Sequence, residues 1–150
     1  MDSERLAARF LAAIAKREPA IYAGIFLDKM DKQRLLKAFP PVHPQIFADH
    51  VTLKFRDDPT GSVDVSEFPI GKTVALKVVG IATDDKAQAV LVQFSGVKTD
   101  RVPHITISTV TGTNPQYSNE LIGQGVTPIK GGLVLRGTVA WWDGVRARTD

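Results

Sequence analysis

Two tetrapeptides 54 positions apart carry one pattern: His50-Val51-Thr52-Leu53 and His104-Ile105-Thr106-Ile107, each reading histidine, apolar residue, threonine, apolar residue. Successive side chains of a β-strand point to opposite faces, so each copy sets an imidazole beside a hydroxyl on one face and two apolar side chains on the other. A chain with this repeat must hold two strands, each with one face to bury and one polar face to present.

The segments around the repeat fill in an α+β domain. Residues 3–17 have helical spacing, with Ser3 as N-cap and Leu6, Phe10, Leu11 and Ile14 on one stripe. Residues 21–27 alternate as a strand, with Ile21, Ala23, Ile25 and Leu27 on one side and Tyr22, Gly24 and Phe26 on the other. A helix over 31–39 is stopped by Pro40–Pro41, and a turn-rich loop spans 57–71. Residues 73–95 read as a hairpin closed at Asp84-Asp85-Lys86, and the second histidine strand runs over about 105–110. A loop leads to a short helix near Ser118, its expected cap, and a last strand ends at Trp142, sharing a face with Arg136 and Thr138. Hairpins without regular βαβ repetition imply mainly antiparallel pairing. The expected architecture is two pseudo-symmetric halves whose antiparallel sheets line a central groove, with helices on the outside. The expected organisation is an N-terminal helical extension over 1–19 and one domain over 20–150.

At 150 residues the chain can bury a sizeable core. It has no cysteine, which removes a disulfide framework, a thiolate zinc site and a cysteine nucleophile. Charged residues interrupt every apolar run before membrane-spanning length, and the opening residues lack the pattern of a secretory signal. A cytoplasmic protein without membrane partners is expected. The net charge of +3 is spread along the chain and permits a polyanionic substrate without requiring one.

Either histidine alone reads as a ring satisfied by nearby backbone. The matched pair reads as chemistry, because an imidazole titrates near ~6.5 and two of them can serve as base and acid at neutral pH. Threonine hydroxyls beside them can donate to phosphate oxygens as charge develops. The sequence shows no carboxylate and histidine cluster at metal-ligand spacing, so a two-metal phosphodiesterase is not expected.

These two motifs, with "YAGIFLD" at 22–28, "KQRLLKAF" at 32–39, "PHITIS" at 103–108 and the Ser118-Asn119-Glu120-Leu121 segment, resemble the 2H phosphoesterase superfamily. Within it, they are similar to the cyclic phosphodiesterase domain of fungal-type tRNA ligases, over most of residues 21–142. The resemblance implies metal-independent hydrolysis of a 2′,3′-cyclic phosphate on an RNA end or nucleotide, without cofactor. It further implies a 2′-phosphate product, His50 and His104 as the catalytic pair, and Thr52 and Thr106 as phosphate clamps. The alternatives are a 2′,5′-oligonucleotide phosphodiesterase and a non-catalytic nucleotide- or RNA-binding module.

Strand alternation extends the candidate site to Lys54, on the face of His50, and Ser108, on the face of His104. Arg136 joins them as a second cation; both cations read equally well as solvated strand-face residues. Tyr22 and Phe26 can stack a base or ribose, or simply pack. Gly71-Lys72-Thr73 ends like a phosphate-binding loop, but Ser66 stands where that motif needs its first glycine. His43, between prolines, reads as a surface loop residue.

Overall fold

A computed structural model describes residues 18–150. The expected helix at 3–17, with its Ser3 cap, lies outside the described residues. In chain order the elements are β1 (Tyr22–Leu27), α1 (Lys29–Ala38), β2 (Gln45–Ile46), β3 (His50–Phe55), β4 (Thr73–Thr83) and β5 (Ala87–Gln93). They continue with β6 (His104–Thr109), α2 (Ser118–Gln124), β7 (Thr127–Pro128), β8 (Val134–Trp142) and β9 (Ala147–Arg148).

Among the described residues all pairings are antiparallel, as the hairpin-rich sequence implied. The path β4-β5-β6-β3-β1-β8 closes on itself because β8 also pairs with β4, from Thr73↔Thr138 to Lys77↔Val134. Two sheets facing across a groove were expected; the six long strands instead form one barrel. Its interior takes the apolar face of every strand. Ile25, Val51, Leu53, Leu76, Val90, Ile105, Ile107, Leu135 and Val139 have no solvent exposure. Burying such a side chain contributes about 1.5–3 kcal/mol relative to leaving it exposed, so the alternation fixes which face turns inward. The polar faces of both histidine strands consequently lie on the outer wall.

Each helix packs against one part of this barrel. Leu35 of α1 reaches the main core, while Asp31 accepts the Arg136 backbone N–H at 3.0 Å and an Arg34 hydrogen bond at 2.7 Å, tying α1 to β8. Leu121 and Ile122 of α2 form a second cluster with Ala82, Ala87 and Ala89 of the β4–β5 hairpin. That hairpin turns where predicted: the Asp84 carboxylate accepts the Lys86 and Ala87 N–H groups at 2.8 and 2.9 Å. The 57–71 segment does more than connect, since Val63 and Phe68 bury into the core and Asp64 caps a short 3₁₀ turn at Val65–Glu67.

The feature of the barrel that shapes its outer wall most is a pair of bulges. Against β1, Ala23 pairs with Lys54 and Gly24 with Thr52, leaving Leu53 as an extra residue. Against β5, Gln88 pairs with Ser108 and Ala89 with Thr106, leaving Ile107 extra. Leu53 and Ile107 occupy the same fourth position of the two tetrapeptides. A bulge breaks the two-residue period, so the side chains beyond it change face.

Gly24 sits under this outer wall, opposite Thr52. A Cβ there would stand 2.7 Å from the Val51 carbonyl oxygen and within 3.5 Å of both the Phe26 and Tyr22 rings. Gly24→Ala is therefore expected to destabilise the protein by about 1–3 kcal/mol, since the closest obstacle is backbone and cannot swing away. Denaturant unfolding should show a lower midpoint with an unchanged m-value; a wild-type midpoint would refute the steric role.

Candidate active site

The β3–β6 junction brings the two motifs together. Val51 pairs with Ile105, and one residue to either side His50 falls across from Thr106 and Thr52 across from His104. His50, Thr52, His104 and Thr106 all line one cleft of ≈ 300 Å³ on the outer wall. Its sides come from β1, β8, the Phe47–Asp49 approach to β3, the segment before β6, and the loop that enters α2.

His50 is held by aromatic rings. Phe26 is its cross-strand partner on β1, and the His50 ring stacks on Tyr22 and Phe26 at centroid distances of 4.9 and 5.2 Å. Tyr22 also stacks on Phe55 at 5.8 Å and on Trp142, its partner on β8, at 6.1 Å. Burial among these rings pushes the His50 pKa down from 6.5 to about 4, with His104 adding to the fall and Asp49 opposing it. Burial, helped by Asp49, raises the Tyr22 phenol, so that hydroxyl stays protonated. Asp49 is tied to Lys32 at 2.6 Å. His50 Nε2 lies 3.2 Å from Thr52 Oγ1.

His104 is oriented differently. Its Nδ1 lies 2.9 Å from the Val102 carbonyl oxygen, which can only accept, so Nδ1 carries the proton and the lone pair of a neutral ring is on Nε2. Burial lowers its pKa, opposed by the Val102 hydrogen bond and reinforced by the Arg101 charge. Both rings are thus neutral at pH 7, with the base-competent nitrogen of His104 defined by its backbone partner.

The remaining sequence candidates divide. Tyr22 lines the cleft, and Phe26 supports it from beneath His50. Lys54 does not join them: the bulge at Leu53 turns it to pair with Ala23, and its ammonium reaches Glu67 at 3.6 Å. Phe55 takes the expected place of Lys54 on the cleft side, across from Tyr22. The bulge at Ile107 does the same to Ser108, which is fully buried and donates to Gln88 Oε1 at 2.7 Å. Arg136 lies in a separate hollow beside Asp31 and Arg34. None of these three lines the cleft. Thr106 does line it, with its hydroxyl 2.8 Å from the buried Ser118 Oγ and 3.3 Å from the Pro115 carbonyl. Ser118 thus anchors Thr106, and capping falls to Asn114, which accepts the Gln116 N–H at 2.9 Å at the start of a 3₁₀ turn leading into α2. His43 is half-buried rather than free, with Nε2 2.9 Å from the Asp84 carbonyl oxygen.

Sequence reasoning missed Arg101 and the amides of Asn114, Gln116 and Asn119, all at the cleft. The one local signal for Arg101 was its place just before the second motif; Asn114 and Gln116 come from a segment whose turn residues disguised them, and Asn119 from the first turn of α2. Arg101 is a cation on the His104 side, held by Asp100 at 2.8 Å. Among the described residues no three His, Asp or Glu side chains converge as a metal site, and no helix is long and apolar enough to cross a membrane.

The lowered pKa of His50 makes stability depend on pH. Between 4 and 6.5 the unfolded chain binds a proton at this residue that the folded one refuses, so the stabilisation is complete above 6.5 and is lost as pH falls towards 4. The whole effect is on the order of 3 kcal/mol. His50→Phe keeps an aromatic ring in the stack and cannot titrate. The stability gap between wild type and this variant, measured by denaturant unfolding at pH 7, 5.5 and 4, should move against wild type as pH falls; a constant gap would mean that the His50 ring is not buried as described.

No protein-family model matches the chain, and no curated protein matches it. Among solved structures, the crystal structure of a fungal RNA kinase is similar, with a TM-score of 0.56 and 16% sequence identity. The similarity covers 92% of this chain and 53% of that one, so the chain spans little more than half of that protein's length. At this identity the likeness is one of fold.

Proposed function

We propose that the protein is a phosphodiesterase of the 2H type that hydrolyses a 2′,3′-cyclic phosphate on an RNA end or nucleotide, using His50 and His104 as an acid–base pair. One observation carries the reading: two copies of a histidine–threonine pattern, distant in sequence, line a single cleft across the β3–β6 junction. The strand order supports it as well. Outward from that junction, β3-β1-β8 on one side mirrors β6-β5-β4 on the other, and each motif carries a bulge at its fourth residue, as expected of two related halves. The RNA named for the structural neighbour favours RNA over other phosphodiesters.

In this reading the phosphate lies between the two rings, with Arg101 offsetting its charge. His104 Nε2 takes a proton from water as the water oxygen attacks phosphorus. The opposite P–O bond, to the 3′ oxygen of the ribose, breaks, and that oxygen takes a proton from His50, leaving a 2′-phosphate. The carbonyl of Val102 supports His104 as base, because it keeps the Nε2 lone pair available. Since the His50 ring is neutral at pH 7 in the empty cleft, it takes up its proton from solvent when the substrate anion binds, whose charge raises the ring's pKa. Thr52 donates to a non-bridging oxygen, and Thr106 does so once its hydroxyl turns from the Pro115 carbonyl and accepts from Ser118. Tyr22, Phe55 and Trp142 offer a wall on which the base can stack.

Turnover of a nucleoside 2′,3′-cyclic phosphate in the presence of chelator tests the proposal, with chromatography separating the 2′- and 3′-phosphate products. His50→Ala and His104→Ala should each lose ~10²–10⁴-fold in kcat while remaining folded. Full activity in either, or activity that chelator abolishes and a divalent ion restores, would sink the mechanism. The free-enzyme kcat/KM profile should be a bell with its maximum below pH 6.5, because the competent form has one ring protonated and one neutral and both rings titrate below their ordinary value. A maximum on the alkaline side would contradict that assignment.

A further inference from the structure

Beyond His104, on the side away from the aromatic wall, the barrel surface dips again. This second hollow is also ≈ 300 Å³, and its walls are aliphatic: Leu91, Val102, Ile122 and Val126, with Gly123 on the α2 side. It shares His104 and Asn119 with the catalytic cleft, so the two spaces meet at the ring proposed to activate water.

Strand register builds it. His104 pairs with Leu91 across β6 and β5, and Leu91 pairs with Gly80 across β5 and β4. A Cβ at Gly80 would collide with Val126, so the glycine lets Val126 settle on the wall beside Leu91. On the opposite side α2 carries Gly123 within its seven residues, where glycine weakens a helix relative to alanine. Apart from its chain neighbours and the helix's own backbone, no atom lies within 4 Å of where its Cβ would be. Packing of the chain thus gives no reason for this glycine, and an added side chain would enter open space at the hollow. Val102, at the mouth, is 55% exposed, an apolar residue left facing water.

We propose that this hollow is a second nucleotide subsite, which receives the base of the nucleotide preceding the terminal one, and that the protein therefore favours an RNA strand end over a free mononucleotide. The inference rests on the reading of the cleft as a phosphodiester site. The terminal base then lies on the aromatic wall, on the His50 side. A ligand filling both spaces needs a second flat, largely apolar group joined to the first through the polar boundary at His104 and Asn119. Two successive nucleotides with splayed bases have that form, and unstacked bases at single-stranded ends are what proteins commonly take from RNA. Aliphatic walls without converging donors give the subsite little preference among bases. Asn119 donates to the Gln116 carbonyl at 3.0 Å, which fixes its amide at the boundary and leaves its own carbonyl oxygen to accept from the ligand.

Binding of product-like ligands tests this without depending on turnover. By methyl NMR titration of the full chain, a dinucleotide bearing a 2′-phosphate should bind at least about tenfold more tightly than a nucleoside 2′-monophosphate, a difference of about 1.4 kcal/mol. The Ile122 and Val126 methyl signals should move with the dinucleotide only. Gly123→Leu, which adds a bulky side chain at the border of the hollow, should remove the dinucleotide's advantage and leave the mononucleotide Kd within about twofold, while Gly123→Ala keeps the advantage. Equal affinities in wild type, unmoved Ile122 and Val126 methyls, or a Gly123→Leu variant that weakens both ligands alike or retains the advantage would overturn the subsite. The wild-type methyl shifts decide the matter if Gly123→Leu does not fold. Tight dinucleotide binding by a protein that hydrolyses neither cyclic form would end the hydrolytic reading and leave the subsite standing. Hydrolysis without a dinucleotide advantage would end the subsite alone, and failure to bind either ligand would end both.

Discussion

Val51 opposite Ile105 is the pairing on which the site depends. Both side chains are fully buried in the barrel, and the two-residue period of a strand then forces both neighbouring polar pairs outward. A slip of one residue in either strand would place an imidazole among the core aliphatics and an isoleucine or valine in the cleft. The hydrophobic core therefore acts as the device that aligns the polar residues. Its stabilisation, spread over many side chains, holds the four polar groups in register.

That alignment is cut short on purpose-built terms. Each motif strand keeps strict alternation for histidine, apolar residue and threonine, and then spends its fourth residue on a bulge. The bulges limit the polar stripe to one histidine and one threonine per strand and turn the following residue away. On β3 the exchange places Phe55 on the cleft and sends Lys54 to Glu67; on β6 it buries Ser108 under a hydrogen bond from its hydroxyl to Gln88. An aromatic ring in place of a lysine extends, through Tyr22, the apolar side of the cleft, where burial against Tyr22 and Phe26 makes the His50 ring reluctant to take a proton.

The sequence is most readable where one rule acts alone. The antiparallel strands, the hairpin at Asp84, the helix ended before Pro40 and the shared face of His50 with Thr52 all follow from local periodicity and turn chemistry. Closure of the barrel was not readable, because the β4–β8 seam joins residues some sixty positions apart whose alternation fits an open sheet equally well. Lys54 and Ser108 were misplaced because a bulge leaves no mark in the identity of its residue: Leu53 and Ile107 look like any other inward side chain. Arg101 and the Asn114 and Gln116 amides arrive from segments between the long strands, and Asn119 from α2, whose positions are set by the barrel to which they are anchored. Ser118 illustrates the difficulty, since its residue type suits a helix cap and its burial against Thr106 depends on a strand a dozen residues earlier.

Closure at the β4–β8 seam also decides how a long ligand can be held. Many proteins capture an extended partner by lending it the unpaired backbone of an outermost strand. Here the six long strands each have partners on both sides, and among the described residues the strands added beyond the ring, β2, β7 and β9, are two residues long. Although β3 and β6 share only the Val51–Ile105 pair, every long strand has a neighbour on each side, which leaves little free edge for main-chain templating and guards against edge-to-edge aggregation. An extended ligand would then be held chiefly by side chains projecting from the wall, which would write selectivity in a few exchangeable residues.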